Sequence, residues 1–437
     1  MKGLDKRRAK LLQAAMQAHQ AGQLAAARDG YEAVLALRPG DPDALHFIGV
    51  LHHKQGNSVA GVASIRRSLK AAPNNAHAWM NLGNILLEQD QSQEAKAAYE
   101  RAVALAPALA DAWYNLGICL RKVDDAAAAI GALDRAIGLR GAHAPSHYQR
   151  GIAQRDAGHL DAAESDFRGA LALKPDYVEV YESLGMLLYR QDRIADAAKV
   201  YQAWARIDPS SNTAAHLAAA SSGEQTPERG SDAYVTETFD RFAATFDQNL
   251  ANLGYRAPQL VTAALGDVLG ERRPLDSVLD AGCGTGLCGA MLRPFARRLI
   301  GVDLSSGMIE GARAKGHYDE LAVGELVAFM RGHHAVFDAV VCADTFVYFG
   351  ALEQAFAATA QCLKRPGHLV MTLEQMAEGA EGNYRLEPHG RYTHRLGYVR
   401  DCLTQAGFSA IRSEEQVLRR ERGADVRGLL IAAAAGP

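Results

Sequence analysis

Acids and glycines at fixed spacing carry the chemistry of this chain. In the stretch Val278-Leu279-Asp280-Ala281-Gly282-Cys283-Gly284-Thr285-Gly286, a carboxylate stands two residues before the first of three alternating glycines. A second carboxylate, Asp303, ends the next apolar run, Leu299-Ile300-Gly301-Val302. Glycines so placed permit a tight turn and close backbone approach, and an acid about 20 residues on accepts ribose hydroxyls. The loop has no basic residue to favour a pyrophosphate, and Asp280 can hold a cationic amino group, directly or through water. The pattern therefore predicts S-adenosylmethionine rather than a dinucleotide. Gly282, Cys283, Gly284 and Gly286 form the expected cradle, with Asp303 on the ribose and Leu304 and Met308 just beyond it.

These residues need a sheet to position them. The glycine stretch reads as buried strand, loop and helix, and apolar runs at 321–323, 337–344, 368–374, 410–418 and 429–433 supply further strands. In open α/β sheets ligands gather at the carboxyl ends of strands. That edge should carry Glu325 and Leu326 near the adenine, and Asp344, Thr345, Phe346 and Tyr348 near the transfer site. Upstream, Tyr234, Phe239, Phe242 and Phe246 lie in an amphipathic stretch, 233–250, readable either as packing on the sheet or as a lid over the cofactor. The loop 383–394 is dense in His, Arg and Tyr, a composition suited to substrate contact. His394 and His389 are the candidate bases, with Asp344 or Tyr392 behind them, while Arg391 and Arg385 would orient an anionic acceptor. Two histidines without a carboxylate constellation do not suggest a metal site.

The first half repeats every 34 residues from 8 to 209, in six units. Prolines 39, 73, 107, 175 and 209 end five of them, and Gly141 takes the remaining place. A small residue recurs in each first helix (Ala15, Gly49, Gly83, Gly117, Gly151, Gly185), and the second helix carries a small residue and usually a bulky one four positions later, as in Ala95/Tyr99 and Ala163/Phe167. Such helix pairs cannot bury their apolar faces alone, so they stack. Residues 210–222 would add a capping helix. The expected concave face carries Asn81, Asn84, Tyr114, Asn115, Arg121, Tyr148, Arg155 and Tyr189, residue types that grip an extended peptide. Self-association into a homodimer and a plain spacer are the alternatives. The polar stretch 221–230 reads as a linker.

Composition narrows the partners. The net charge of -3 shows no bias toward nucleic acid or anionic membrane, and no run reaches membrane-spanning length. Six cysteines without a C-x-x-C pair fit a reducing, cytoplasmic setting rather than a disulfide framework.

The repeat units resemble the tetratricopeptide repeat, with its Trp-x-x-Leu-Gly start at Trp79-Met80-Asn81-Leu82-Gly83 and Trp113-Tyr114-Asn115-Leu116-Gly117. Other features extend the likeness: the aromatic stretch Phe239 to Asp247, Tyr255-Arg256-Ala257-Pro258, the Asp280 to Gly286 motif, Gly390-Arg391-Tyr392, Leu418-Arg419-Arg420-Glu421 and Gly428-Leu429-Leu430. With these, nearly the whole chain resembles bacterial methyltransferases that carry such repeats. It departs in lacking a proline within Arg422-Gly423-Ala424-Asp425 and in having Glu325 where an aspartate is more common. The resemblance implies two domains: an all-α repeat superhelix over 1–222 and a Rossmann-like class I methyltransferase domain over 223–437 with a seven-stranded sheet, the last strand antiparallel. It implies methyl transfer from S-adenosylmethionine, giving S-adenosylhomocysteine, to oxygen or nitrogen of a peptide or protein held by the repeats. A small-molecule methyltransferase whose repeats bind a partner enzyme, and a non-catalytic repeat adaptor, remain the alternatives.

Overall fold

The computed structural model describes residues 2–223, 226–272, 274–421 and 423–436. Residues 224 and 225 of the expected linker, and Arg422, lie outside that set. The chain forms two compact units, Met1–Leu187 and Leu188–Pro437.

The first unit is a stack of antiparallel helix pairs, Lys2–Gln20 with Leu24–Leu37, Pro42–Lys54 with Ser58–Ala71, Ala76–Glu88 with Ser92–Leu105, Ala110–Lys122 with Ala126–Arg140, and Ala144–Asp156 with Leu160–Leu173. Asp41, Asn57, Asn75 and Asp125 each accept a backbone N–H three residues on, closing the helix starts. The recurring small residue works as the period predicts. A Cβ on Gly83 would meet the Tyr99 ring at 2.7 Å, one on Gly117 would meet Leu133 at 2.5 Å, and one on Gly151 would meet Phe167 at 2.7 Å. The bulky partner of each second helix thus fills the space that the missing side chain leaves, and Tyr99, Leu133 and Phe167 are almost wholly buried.

The second unit begins inside the helix Val178–Arg190 and continues through Ile194–Ile207 and Asn212–Ser222. The repeat period places a boundary after residue 222, but Asn212–Ser222 packs on Asp232–Phe242 and so groups with the sheet-bearing half of the chain. His216 is buried there, stacked on Tyr234 at 3.8 Å, with its Nε2 2.9 Å from the Gly390 carbonyl. Residues 228–230 of the polar stretch after it are held by main-chain bonds. The Glu228 carbonyl accepts from Gly350 and Ala351, Gly230 donates to Tyr348, and Arg229 bridges to Phe349.

The sheet has nine strands among the described residues, not seven: β1 (Leu275–Ala281), β2 (Ala296–Asp303), β3 (Glu320–Val323), β4 (Phe337–Cys342), β5 (Leu363–Gln375), β6 (Tyr384–Leu386), β7 (Tyr392–His394), β8 (Phe408–Glu421) and β9 (Ala424–Ala435). β3-β2-β1-β4-β5 run parallel, β9 pairs antiparallel with β5, and β8 with β9. The two extra strands arise because the expected substrate loop 383–394 folds into the hairpin β6–β7. Since β9 already pairs with Glu374 on one edge of β5, β7, which pairs with the same residue, lies on the β4 edge. β4 ends its pairing at Met371, so the hairpin extends the sheet just beyond the carboxyl end of β4. Central β1 is buried along Ser277–Ala281, as a parallel strand covered on both faces must be.

Candidate active site

A cavity of about 250 Å³ opens at the carboxyl ends of β1, β2 and β4. One wall is the glycine loop. Gly282, Gly284 and Gly286 have φ of 76°, 54° and 82°, a region costly for side chains. A Cβ on Gly282 would strike Thr345 Oγ1 at 2.1 Å, whereas one on Gly284 would meet only Phe246, at 3.7 Å, so Gly284 presents bare backbone to the cavity. Asp303 forms the next wall. Its carboxylate accepts from Gly284 N and Ser305 N, both at 2.9 Å, and burial pushes its pKa up against those bonds. Glu325 caps the helix Leu326–Arg331 by accepting from Val327 and Ala328, and takes Arg229 at 2.8 Å. Burial raises its pKa, but these bonds outweigh that and leave it below the usual range.

The lid stretch 233–250 is a helix, Asp232–Phe242, then a 3-10 turn, Ala243–Thr245, and a short helix from Phe246. Asp240 accepts from Ser305 and from Gly307 N, while Asp247 accepts from Thr285 and pairs with Lys315 at 2.6 Å. Phe239 and Phe246 line the cavity, edge to face at 5.9 Å. Phe242, expected with them, is 42% exposed: it lies roughly 60° round the same unbroken helix from Phe239, on the side away from the cavity. Tyr234 is absent from the lining, since its ring is spent on His216.

The structure brings Phe246, Gly282, Cys283, Gly284, Asp303, Leu304, Met308, Glu325, Leu326 and Asp344 to one cavity, as the spacing predicts. It does not bring Asp280. That carboxyl lies behind the loop, almost wholly buried, accepting from the Tyr318 phenol at 2.6 Å. Burial and the nearby Asp303 push it up to about 7 despite that bond. Gly286 likewise packs away from the cavity, 3.2 Å from Ala312 by its would-be Cβ. Phe346 is fully buried in the core rather than facing the site.

The far wall combines Asp344, Tyr255, Tyr348, Arg391, Arg419 and Glu421. Asp344 holds a strained φ of 56° and is fixed by Thr372, which accepts its N–H at 2.9 Å and donates to its Oδ1 at 2.7 Å. Arg419, 4% exposed, donates to Asp344, Glu421 and Glu374. Arg391 donates to Glu374 at 2.5 Å and to Glu421 at 2.7 Å. Burial alone would raise the Glu374 pKa, but Arg391 and Arg419 hold it down at about 2.

The proposed bases do not reach this wall. His394 is fully buried, its Nε2 shared between the carbonyls of Phe349 (2.8 Å) and Gly350 (3.2 Å). Tyr392 is equally buried and donates to the Pro227 carbonyl at 2.7 Å. Both hold the hairpin β6–β7 in place. His389 sits 3.4 Å from Glu374 and accepts from Arg391 N, behind the lining, where burial and Arg391 depress it to about 4. Arg385 is exposed and faces Glu387. Arg419, Glu421, Tyr255 and Arg229 were not singled out from the sequence for roles here. Arg419 and Glu421 stand at i and i+2, on one face of β8, but that strand carries charges along much of its length, so the pair carries no distinguishing sequence signal.

His394 should govern stability rather than turnover. Burial depresses its pKa from 6.5 to about 4. The unfolded chain therefore takes up a proton that the folded one refuses, and the stabilisation is complete above about 6.5 and lost as pH falls toward 4. That window corresponds to about 3 kcal/mol. His394→Gln should flatten the pH dependence of the urea midpoint across it. A slope unchanged from wild type would refute the assignment.

In the first unit the expected groove residues do share a face. Successive first helices touch directly. Asn81 bonds His46 at 2.8 Å, Asn115 bonds Asn84 at 2.9 Å, Arg121 bonds Gln149 at 2.8 Å and Tyr148 meets Ser183 at 3.2 Å, a ladder from repeat to repeat. Arg155 pairs with Asp156, and Tyr114 stands edge-on to His143. Tyr189 belongs to the second unit, edge-on to His389 at 6.5 Å.

A mostly parallel sheet with a glycine cradle and a strand-end acid is the arrangement expected of a class I methyltransferase domain. Residues 279–371 match the methyltransferase domain family, and 12–76, 54–108, 80–144 and 148–212 match the tetratricopeptide repeat. The chain thus carries a tetratricopeptide-repeat region followed by a stretch that matches a methyltransferase domain. Methyltransferase-like protein 27 of Homo sapiens is 44% identical over 86 residues, 20% of this chain and 35% of that protein. The malonyl-[acyl-carrier protein] O-methyltransferase of Yersinia pestis is 34% identical over 96 residues, 21% of this chain and 32% of that one. The chain spans about a third of the length of these curated relatives. Among solved structures, MamA is 25% identical at a TM-score of 0.37, covering 38% of this chain and 92% of its own. YrrB, described as a TPR protein with an unusual peptide-binding site, is 21% identical at 0.39, covering 43% and 96%. No described helix is long and apolar enough to cross a membrane.

Proposed function

We propose that the second unit transfers a methyl group from S-adenosylmethionine to an oxygen or nitrogen acceptor on a peptide or protein recruited by the repeats. The observation that carries this reading is the two-ended cavity: glycine loop and Asp303 on one side, Asp344 with Tyr255 and Tyr348 on the other. Bare backbone at Gly284 leaves room for a nucleoside, and the Asp303 carboxylate keeps lone pairs for ribose hydroxyls. Glu325 and Leu326 border the place left for the adenine. The group would supply an electrophilic methyl when bound. The protein's part is then to hold the nucleophile about 3 Å away and in line, and to exclude water. Phe239, Phe246 and Leu250 provide the apolar cover. Asp344 takes the role of base first expected of His394.

Calorimetry with S-adenosylhomocysteine and incubation of the full chain with tritiated cofactor and host extract test this together. Tight product binding with label in polypeptide is the expected result. Label in the low-mass fraction would favour a small-molecule acceptor, and binding without any transfer would favour an adaptor.

A further inference from the structure

We infer that the acceptor is an amine, bound as its cation between Asp344 and Glu421, and not a carboxylate or phosphate. This rests on the methyl-transfer reading above. The far wall sets two guanidiniums against three carboxylates, those of Asp344, Glu374 and Glu421. His389, driven down to about 4 by burial, adds no charge near neutral pH. With Asp344 ionised, as its 2.8 Å ion pair with Arg419 favours, the wall is one unit negative. Its cations are also engaged already: Arg419 binds all three acids, and Arg391 binds two of them. Arg229, the remaining cation among the described lining residues, is held by Asp232 and Glu325, and no described lysine lines the cavity.

An anionic acceptor would bring a fourth negative charge into a pocket that shields it poorly from its neighbours. An ammonium instead brings the wall to neutrality. The aromatic surroundings point the same way. Tyr348 stands edge-on to Phe239 at 5.4 Å, Tyr255 lines the same wall, and aromatic faces attract cations.

An ammonium must lose a proton to react. Asp344, raised by burial and still facing the cavity, accepts it and passes it on to solvent. The freed nitrogen lone pair forms the bond to the methyl carbon as the carbon–sulfur bond breaks and its pair stays on sulfur. The products are a neutral thioether, an N-methylammonium and one proton.

Two measurements on the full chain decide the matter. Label transferred from tritiated cofactor to host extract should survive mild alkali and, after acid hydrolysis, bind a cation exchanger at neutral pH. Release as volatile methanol, or recovery in a neutral or anionic product, would overturn the inference while leaving methyl transfer intact. No label at all would overturn the transferase reading and this one with it. Independently of turnover, cadaverine at matched ionic strength should raise the melting temperature of the S-adenosylhomocysteine-saturated protein by about 2–4 °C. Glutarate should not, and Glu421→Gln should remove most of the cadaverine shift. Stabilisation by glutarate, or by neither probe, would contradict the charge argument.

Discussion

Arg419→Met should lower the unfolding free energy by about 3–5 kcal/mol at neutral pH, because it strands buried carboxylates that the guanidinium now serves. Arg419 and Glu374 are 4% and 3% exposed, and Arg391 cannot answer Asp344, Glu374 and Glu421 alone. The pH dependence provides the sign. Glu374 is held at about 2, below its ordinary 4.5, so its stabilising share is present above 4.5 and lost as pH falls through 2. In the variant that carboxyl protonates at higher pH, and the gap between variant and wild type should narrow as pH falls below 4.5. Denaturant titrations at neutral and acid pH would measure both. A loss under about 1 kcal/mol at neutral pH would place this pair among ordinary surface ion pairs and remove the charged wall on which the amine acceptor depends.

The second large effect is expected at Asp303. Asp303→Ala should weaken S-adenosylhomocysteine by roughly 100-fold, since hydrogen bonds to a charged group contribute about 1.5–3 kcal/mol each. Calorimetry gives the number directly. Asp303→Asn separates causes: it keeps an acceptor for Gly284 N, so a comparable loss there would assign the effect to charge rather than to a collapsed loop. Affinity unchanged in both variants would remove Asp303 from the site and with it the cofactor reading.

How much of this was legible in the chain depended on how local the determinants are. The glycine loop, Asp303, Leu304, Met308 and Glu325 follow their strands directly in sequence, so one strand-turn-helix pattern places them together. The repeats were legible for the same reason, each unit repeating its own packing rule at Gly83, Gly117 and Gly151. The hairpin residues were not. His394 is fixed by Phe349 and Gly350, and Tyr392 by Pro227, 165 residues away, so a composition suited to catalysis turned out to serve folding. Phe242 fell because an i, i+3 spacing leaves it part of a turn away from Phe239, on a helix that meets the cavity along one edge only, and Asp280 to a tyrosine 38 residues downstream. Arg419 and Glu421 reach the cavity because the long antiparallel pair of β8 and β9 carries them there, a register that short-range pattern does not fix.

The helix Asn212–Ser222, read by period as the tail of the repeats, has a practical corollary. His216 supports the turn at Gly390, one residue before an arginine of the cavity wall. Anyone splicing a foreign helical array onto this chain should therefore leave that helix with the sheet-bearing half, because a junction chosen by repeat periodicity would cut away part of the scaffold behind the cavity.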